Sequence, residues 1–368
     1  MKRILAQCTK ELAQFRRDRL TVALAFLLPL ATLLLFSYGT RLEVKNIPLV
    51  VQDFDQTSLS RAYSERFFAT TQFDSTLWTG TDAARDAIDR GLAKAAVVIP
   101  PDFSRRIKAE NASMVQVLVD GTDVNNARVI ASSIRSTTNF FLSNQGLVSG
   151  TAKVVANVRL WFNPGRKESL YVVPGVYAVI FWIYPSLLAS IAMVREKEQG
   201  TIIQAYASSL TAVELILGKT LAYLLIGLLE AVLIIGLGSS LFGLWFVGDP
   251  TPFLIGTPIF LMTSVMFGIL IGTVVSDQST AVQVVTTVGF LTALLLSGFL
   301  YPLSNIPFPL SLITYIIPAR YYIELSRDAF VQGTGWAGVW FAPLVLALLC
   351  MLLFRGASKT LSRMQLPE

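Results

Sequence analysis

Hydrophobic positions along this chain fall into two regimes. Six stretches are apolar almost without interruption: Leu20 to Tyr38, Tyr171 to Val194, Leu221 to Phe246, Phe253 to Val275, Ala281 to Tyr301 and Trp336 to Phe354. Each is close to or above the roughly 20 residues that take an α-helix across a bilayer. None alternates with period two, which excludes an outer-membrane barrel. Residues 40–169 behave differently. Short strand-like runs at Ile47 to Gln52, Phe73 to Trp78, Ala95 to Ile99 and Val115 to Val119 alternate with helix-like runs at Thr57 to Ala69, Asp82 to Gly91, Asp102 to Ala109 and a long one from about Val124. That alternation predicts a small α/β domain, with Asp82, Asp102 and Asp123 as N-caps and Asp120-Gly121 as a turn.

Charge sets the orientation. Lys2, Arg3, Lys10, Arg16, Arg17 and Arg19 precede the first span, Arg195, Lys197 and Lys219 lie between the second and third, and Arg355, Lys359 and Arg363 follow the last. With six spans all of these fall on one side, which the positive-inside rule makes cytoplasmic. The predicted fold is therefore an α-helical polytopic membrane protein, six transmembrane helices with an α/β extracytoplasmic domain inserted between helices 1 and 2. In order, residues 1–19 are a cytoplasmic amphipathic helix, 20–38 the first span and 40–169 the outside domain. Residues 171–194 are the second span, 195–219 a cytoplasmic segment, and 221–246, 253–275 and 281–301 spans three to five. Residues 302–335 are re-entrant or external helices, 336–354 the sixth span and 355–368 a cytoplasmic tail. The first span follows a charged flank, and Ser37-Tyr38-Gly39 does not resemble a small-residue cleavage site, so it reads as an uncleaved anchor.

Composition agrees and removes other classes. Hydrophobic residues make up 53% and charged residues only 15%, against about 25% charged in soluble proteins, and the mean hydropathy is +0.58. There is no histidine, which excludes histidine metal sites, Ser-His-Asp triads and Cys-His dyads. The two cysteines, Cys8 and Cys350, are too far apart in sequence to form a CxxC motif. Asp120, Asp123, Asn125 and Asn126 lack EF-hand spacing, so no metal is expected. The net charge of +6 is accounted for by the cytoplasmic flanks rather than by nucleic-acid binding.

Several features carry candidate function. Ile4, Leu5, Cys8, Leu12 and Phe15 recur at near-helical spacing, which predicts an amphipathic helix on the cytoplasmic leaflet. Arg195-Glu196-Lys197-Glu198-Gln199-Gly200-Thr201 leaves the second span and leads to Ile202, Ile203 and Tyr206, the pattern of a docking element for a soluble partner or of a snorkelling flank. Glu230 sits near the middle of the third span, where a carboxylate is costly and functional by default; the plainer reading is a neutral side chain making one interhelical hydrogen bond. Gly268-x-x-x-Gly272 predicts close helix packing. Tyr177, Phe181, Trp182 and Tyr184 make the second span aromatic, and Phe290 and Phe299 mark the fifth. Phe308 to Pro318 is apolar but too short to cross and predicts a re-entrant hairpin. Gly218-Lys219-Thr220 ends like a P-loop, but Val213 stands where its first glycine belongs, so the chain has no such site for ATP.

The run Arg195 to Thr201, Lys10-Glu11-Leu12 with Arg17-Asp18, Leu296-Ser297-Gly298-Phe299-Leu300-Tyr301-Pro302, Ile306-Pro307 and Pro318-Ala319-Arg320-Tyr321 resemble the permease subunits of ABC-2 type exporters. The resemblance covers essentially the whole chain. It implies a half-transporter without a cofactor of its own, pairing with a second permease chain, identical or similar, and docking an ABC ATPase subunit that holds ATP and Mg. It assigns ATPase coupling to Arg195, Glu196, Lys197, Glu198, Gly200 and Thr201, with Lys10 and Glu11 on the amphipathic helix. It also places spans two and five along the path, so Tyr177, Phe181, Tyr184, Phe290 and Phe299 become candidates for the substrate pathway; Glu230, to which the resemblance gives no role, joins them only on its depth in the third span. Relatives with long outside domains are similar to multidrug efflux permeases of the bacterial inner membrane, which often work with a periplasmic adaptor protein.

The leading expectation is thus efflux of an amphipathic or hydrophobic substrate. The alternatives are ABC-2 export of a lipid, a glycan or sodium, or an ion-driven secondary transporter using Glu230. A membrane sensor would need a cytoplasmic output domain, for which these segments are too short.

Overall fold

The computed structural model describes residues 1–39, 46–79, 84–109, 113–120, 124–144, 167–201, 210–301 and 303–362. Its elements begin with α1 (Lys2–Arg17) and α2 (Arg19–Gly39). Then come β1 (Ile47–Asp53), α3 (Ser58–Phe68), β2 (Phe73–Leu77), α4 (Arg85–Asp89), β3 (Ala95–Ile99), α5 (Phe103–Lys108), β4 (Gln116–Val119) and α6 (Val124–Asn144). The long helices α7 (Ser169–Glu198), α8 (Ala212–Phe242), α9 (Thr251–Val274) and α10 (Gln278–Leu295) follow. Short helices α11 (Leu310–Ile313), α12 (Pro318–Arg327) and α13 (Trp336–Val339) lead to the last, α14 (Phe341–Ser362). Contacts divide the chain into two units, residues 1–40 with 159–368 and residues 41–158.

In the smaller unit β2, β1, β3 and β4 lie side by side in that order, β1 parallel to β2 and β3, and β4 antiparallel to β3. Alternate residues of β1 divide between two cores, as the pleat requires. Leu49 and Val51 pack with Tyr63, Phe67 and Phe103, while Val50 packs with Ala84, Ala87 and Ala96. The turn after β1 is tied by Thr57 and Ser60, which form a reciprocal N-cap for α3. Asp102 caps α5 by position only; its carboxylate pairs with Arg106 at 2.5 Å instead. Asp82 and Asp123 lie outside the described residues, and Asp120 is held by Lys94 at 2.6 Å.

Asp55 supplies a pH-dependent tie. Burial alone would raise its pKa, but hydroxyls of Ser104 (2.5 Å) and Thr57 (2.7 Å) donate to its Oδ2, and with Lys108 they hold it below the ordinary 3.8. Its stabilising contribution is thus present above the unfolded value and disappears as the pH falls through the lower folded value. Amide exchange at α5 in the full-length protein, corrected for intrinsic rates, is expected to lose protection as the pH drops from about 5 to 3. Asp55→Asn is expected to flatten that loss.

The larger unit is built around α7. Six helices are long and apolar enough to cross a membrane, α2, α7, α8, α9, α10 and α14, and the chain is a mostly helical, multi-pass membrane protein. The others leave much apolar surface exposed, as lipid-facing helices do, but Val172 to Ile183 of α7 is buried throughout. Tyr177, Phe181, Phe253, Phe260, Tyr322 and Phe330 fill the space around it, with the Phe260 and Tyr322 rings stacked 4.3 Å apart. Helix α9 packs closest. A Cβ added at Gly268 would lie 2.0 Å from the carbonyl oxygen of Ser186, and one at Gly272 2.7 Å from Cβ of Met193. The hydroxyl of Ser264 donates to the Trp182 carbonyl at 2.7 Å across the same contact.

Three long helices differ clearly from the pattern-based bounds, the first being α8, which begins at Ala212 rather than Leu221 and ends at Phe242 rather than Phe246. Helix α10 stops at Leu295, short of Tyr301, because the chain turns at Gly298, whose φ of +85° favours glycine. Within it Val285–Phe290 is a π-helical turn. The last span begins at Phe341 rather than Trp336 and continues to Ser362, through Arg355 and Lys359. Those residues are good helix formers that extend an apolar helix past its greasy stretch. Trp336 belongs instead to α13, where its indole donates to Thr251 Oγ1 at 2.8 Å.

Candidate functional site

The last turn of α7 carries Arg195, Glu196, Lys197 and Glu198. Successive residues of a helix point roughly 100° apart, so the four side chains leave in different directions, each to a different element. Arg195 reaches Asp18 between α1 and α2 at 3.1 Å. The Thr21 hydroxyl, which donates to Asp18, and Arg195 outweigh partial burial and hold that carboxyl below its usual range. Glu196 is buried and accepts from Lys10 of α1 at 2.7 Å, with Lys219 of α8 3.2 Å away. Lys197 donates to the carbonyls of Gly272 (2.9 Å), Thr273 (2.8 Å) and Val275 (2.7 Å), the unpaired acceptors at the end of α9. Glu198 accepts the backbone N–H of Gln278 at 2.8 Å and the Gln278 amide, at the positive end of α10.

Lys219 is the centre of this network. Its side chain is 1% exposed and its Nζ lies 2.6 Å from Glu11 Oε1 of α1. Glu11 also accepts from Gln7 (2.9 Å) and the Tyr223 hydroxyl (3.3 Å). A Cβ at Gly218 would meet Gln7 at 2.6 Å, so the glycine lets α1 lie directly on α8. The face α1 buries therefore holds Gln7, Cys8 and Glu11, while Leu5 of the expected apolar stripe is 52% exposed. Ile4, Cys8, Leu12 and Phe15 of that stripe are buried or half-buried, and Gln7 and Glu11 join them on the inner face because α8 supplies a cation for Glu11. Lys219, Gln7, Tyr223 and Asp18 were not among the site residues read from sequence. Their signal is paired spacing: Gln7 and Glu11 stand at i, i+4 on one helix, and Lys219 and Tyr223 at i, i+4 on the other.

Thus Lys10, Glu11 and Glu196 come together around Lys219, while Arg195, Lys197 and Glu198 make separate ties from the same helix end to other elements of the chain. Glu198, Gln199 and Gly200 keep exposed surface, and Thr201 donates its hydroxyl to the Glu196 carbonyl at 3.3 Å. Ile202, Ile203 and Tyr206 lie outside the described residues. Helix α8 then restarts with a reciprocal cap between Thr211 and Glu214.

The candidates for a substrate path lie elsewhere. Tyr177, Phe181 and Phe299 are buried within the chain's own packing, Phe299 against the space left by Gly175. Tyr184 and Phe290 are half-buried. The Tyr184 hydroxyl shares a 2.5 Å hydrogen bond with Thr32. Glu230 is fully buried, and neither carboxyl oxygen has a hydrogen-bond partner among the described residues, so the plainer of its two readings, an interhelical hydrogen bond, is not seen there. Among the described residues no group of His, Cys, Asp and Glu is placed to hold a metal.

This arrangement defines a multi-pass membrane protein whose helices are tied together at one end by charged side chains. The family model described as ABC-2 family transporter protein matches residues 19–358, and the chain belongs to that family. It is 26% identical over 97% of its length to the probable multidrug ABC transporter permease YbhS of Escherichia coli, covering 94% of that protein. It is 29% identical to the probable multidrug ABC transporter permease YbhR of the same organism, over 90% of each chain. It is 25% identical to the inner membrane transport permease YhhJ of E. coli, over 83% of this chain and 81% of that one. The role that follows from these likenesses is that of an ABC-2 permease.

Proposed function

We propose that the chain is the membrane subunit of an ATP-driven exporter, moving an amphipathic or hydrophobic substrate out of the cytoplasm or inner leaflet by alternating access. Hydrolysis takes place on a separate ABC ATPase, with its ATP and Mg. Both termini face the cytoplasm of a bacterial cell, residues 40–169 lie outside the inner membrane, and a second permease chain completes the path. A periplasmic adaptor would meet the outside domain.

The observation that carries this reading is the four-way lock at the end of α7. A soluble partner pressing on the exposed stretch Glu198 to Gly200 acts on a helix end tied to α1, α8, α9 and α10. Displacement there is shared among all of them, and the glycine-mediated contact of α7 with α9 favours movement as one body. The path is then most simply formed between two such bodies. Helix α10 supports this: Gln283, Thr286 and Thr287 are exposed in the middle of a span that is the least apolar of the six, a poor surface for lipid but a suitable one beside a water-filled path. Its π-helical turn is of the kind often found at functional sites. Tyr184 and Phe290 would border that path, with Tyr177, Phe181 and Phe299 behind them.

A cysteine at the exposed Gln199, with the buried Cys8 and Cys350 replaced by alanine, tests the docking face. Cross-linking in native membranes is expected to join Gln199→Cys to a P-loop ATPase. If an ATPase co-purifies but does not cross-link, the docking face is wrong. If none co-purifies, the exporter reading fails.

A further inference from the structure

Helix α12 carries a charged cluster that the lock at the base of the spans does not use. Arg320, Glu324 and Arg327 follow one another at i, i+4 and i+7 along one side of it. The Arg327 guanidinium lies 4.3 Å over the Tyr171 ring, and its Nε and Nη2 are buried without a hydrogen-bond acceptor among the described residues. The Arg320 guanidinium lies 4.3 Å over Tyr315 and donates from Nη1 to Thr314 Oγ1 at 2.8 Å. Its Nε has no hydrogen-bond acceptor and stands 3.8 Å from Glu324 Oε1.

The acids nearby do not balance these cations. Asp328 is fully engaged: Oδ1 accepts the Thr334 N–H and hydroxyl, and Oδ2 accepts the Gly335 N–H. Among the described residues Glu324 is the acid set between the two arginines, and one of its oxygens has no partner there. Burial pushes its pKa above the usual carboxylate range although Arg320 and Arg327 pull it down. The cluster therefore holds two guanidinium groups, three shielded N–H-bearing nitrogens without acceptors, and a weak counter-charge. Unmet donors on a charged group are costly, at about 1–3 kcal/mol or more each. An oxyanion with several acceptor oxygens would relieve that cost, and phosphate suits a guanidinium best.

What surrounds the cluster indicates the rest of the ligand. Phe308 is 78% exposed, and Leu312, Tyr315 and Ile316 are also exposed, on the short segment that packs its Tyr315 against Arg320. Trp245, Trp336 and Trp340, at the ends of α8 and α13, are exposed on the same side of the spans. Exposed tryptophans of this kind mark a membrane–water interface. A cationic group short of acceptors, beside apolar side chains and at interface depth, matches an amphiphile with an anionic head.

We infer that the Arg320–Arg327 cluster of α12 is a binding site for an anionic phospholipid. The half-buried Arg327 turns its guanidinium out from the Tyr171 ring to give its unmet N–H groups to the lipid phosphate, Arg320 adds the second positive charge, and the acyl chains lie along Phe308, Leu312 and Ile316. This inference does not depend on the direction of transport or on the ATPase.

The test uses the full-length permease in a neutral maltoside detergent, with bound molecules counted by native mass spectrometry. Dihexanoyl phosphatidylglycerol is the probe; dihexanoylglycerol and inorganic phosphate are the separate arms. Phosphatidylglycerol is expected to bind at least about tenfold more tightly than either control, and Arg327→Gln to weaken it by about tenfold or more. Arg320→Gln, at the less critical cation, is expected to weaken it several-fold and serves if Arg327→Gln does not fold. Unchanged binding in a folded Arg327→Gln variant, or in Arg320→Gln when the first is lost, overturns the site. Equal binding of dihexanoylglycerol overturns the anionic head, and equally tight inorganic phosphate overturns the lipid in favour of a free anion.

Discussion

Lys219→Met is expected to abolish a stably folded permease. The lysine is 1% exposed and lies between Glu11 at 2.6 Å and Glu196 at 3.2 Å. Removing one partner of a buried ion pair leaves uncompensated charge and costs about 3–5 kcal/mol, a factor of a hundred or more in the folded population at about 1.4 kcal/mol per tenfold. Methionine fills a similar volume, so the loss is electrostatic rather than a cavity effect. The companion experiment removes the acids as well: Lys219→Met with Glu11→Gln and Glu196→Gln is expected to recover most of the stability, because neutral, hydrogen-bonded groups replace stranded charges. Lys10, left without Glu196, has a side chain 42% exposed and can turn to water. Monodisperse yield and thermal unfolding in detergent give both answers. A single variant as stable as the wild type would show that the network contributes nothing to folding.

Gly268→Val is expected to be the most damaging change in the membrane interior. The added Cβ would sit 2.0 Å from the Ser186 carbonyl oxygen and 2.8 Å from its Cα, both backbone atoms that cannot turn aside. Helix α9 must then retreat from α7, and the Ser264 to Trp182 bond opens with it. Overpacking usually costs about 1–3 kcal/mol, and separating the central pair of helices places this case at the upper end or beyond. Gly236→Ala in α8 is the control, since nothing lies within 4 Å of its added Cβ. There the better helix propensity is expected to be neutral or to stabilise by about 0.5–1 kcal/mol. Thermal unfolding of the two variants side by side checks the contrast, and equal behaviour would refute the close-approach argument.

Much of the architecture was legible because it is written in local periodicity. Strands β1 to β4 fall within a residue or so of the runs that suggested them, since period-two patterns and turn residues are properties of neighbouring positions. Apolar runs likewise announced the long helices, but their ends depended on particular turns: Gly298 stops α10, while Arg355 and Lys359 carry α14 onward. The charged run after the second span was visible as a site, yet its partners were not. Lys219 and Glu11 are 208 residues apart, and Lys219 looked like an incomplete phosphate loop, because sequence alone cannot tell a lysine facing water from one facing a glutamate on another helix. The same limit hid the polar side of α1. An apolar stripe suggests lipid beneath a helix, but the face that Gln7 and Glu11 occupy is buried by a matching pair on α8.

Glu230 divides the two modes of energising this transporter. It is buried and unpartnered among the described residues, a place where an ion-driven carrier could hold its coupling ion, whereas in the proposed function the lock at the end of α7 is where an ATPase acts. Uptake of a fluorescent lipophilic cation into inside-out membrane vesicles, with ATP supplied and ion gradients collapsed by ionophores, separates them most directly. An ATPase-driven permease is expected to give uptake that requires hydrolysable ATP, persists without gradients and survives Glu230→Gln. Uptake that needs no ATP, stops when the gradients collapse and is lost in Glu230→Gln would contradict it.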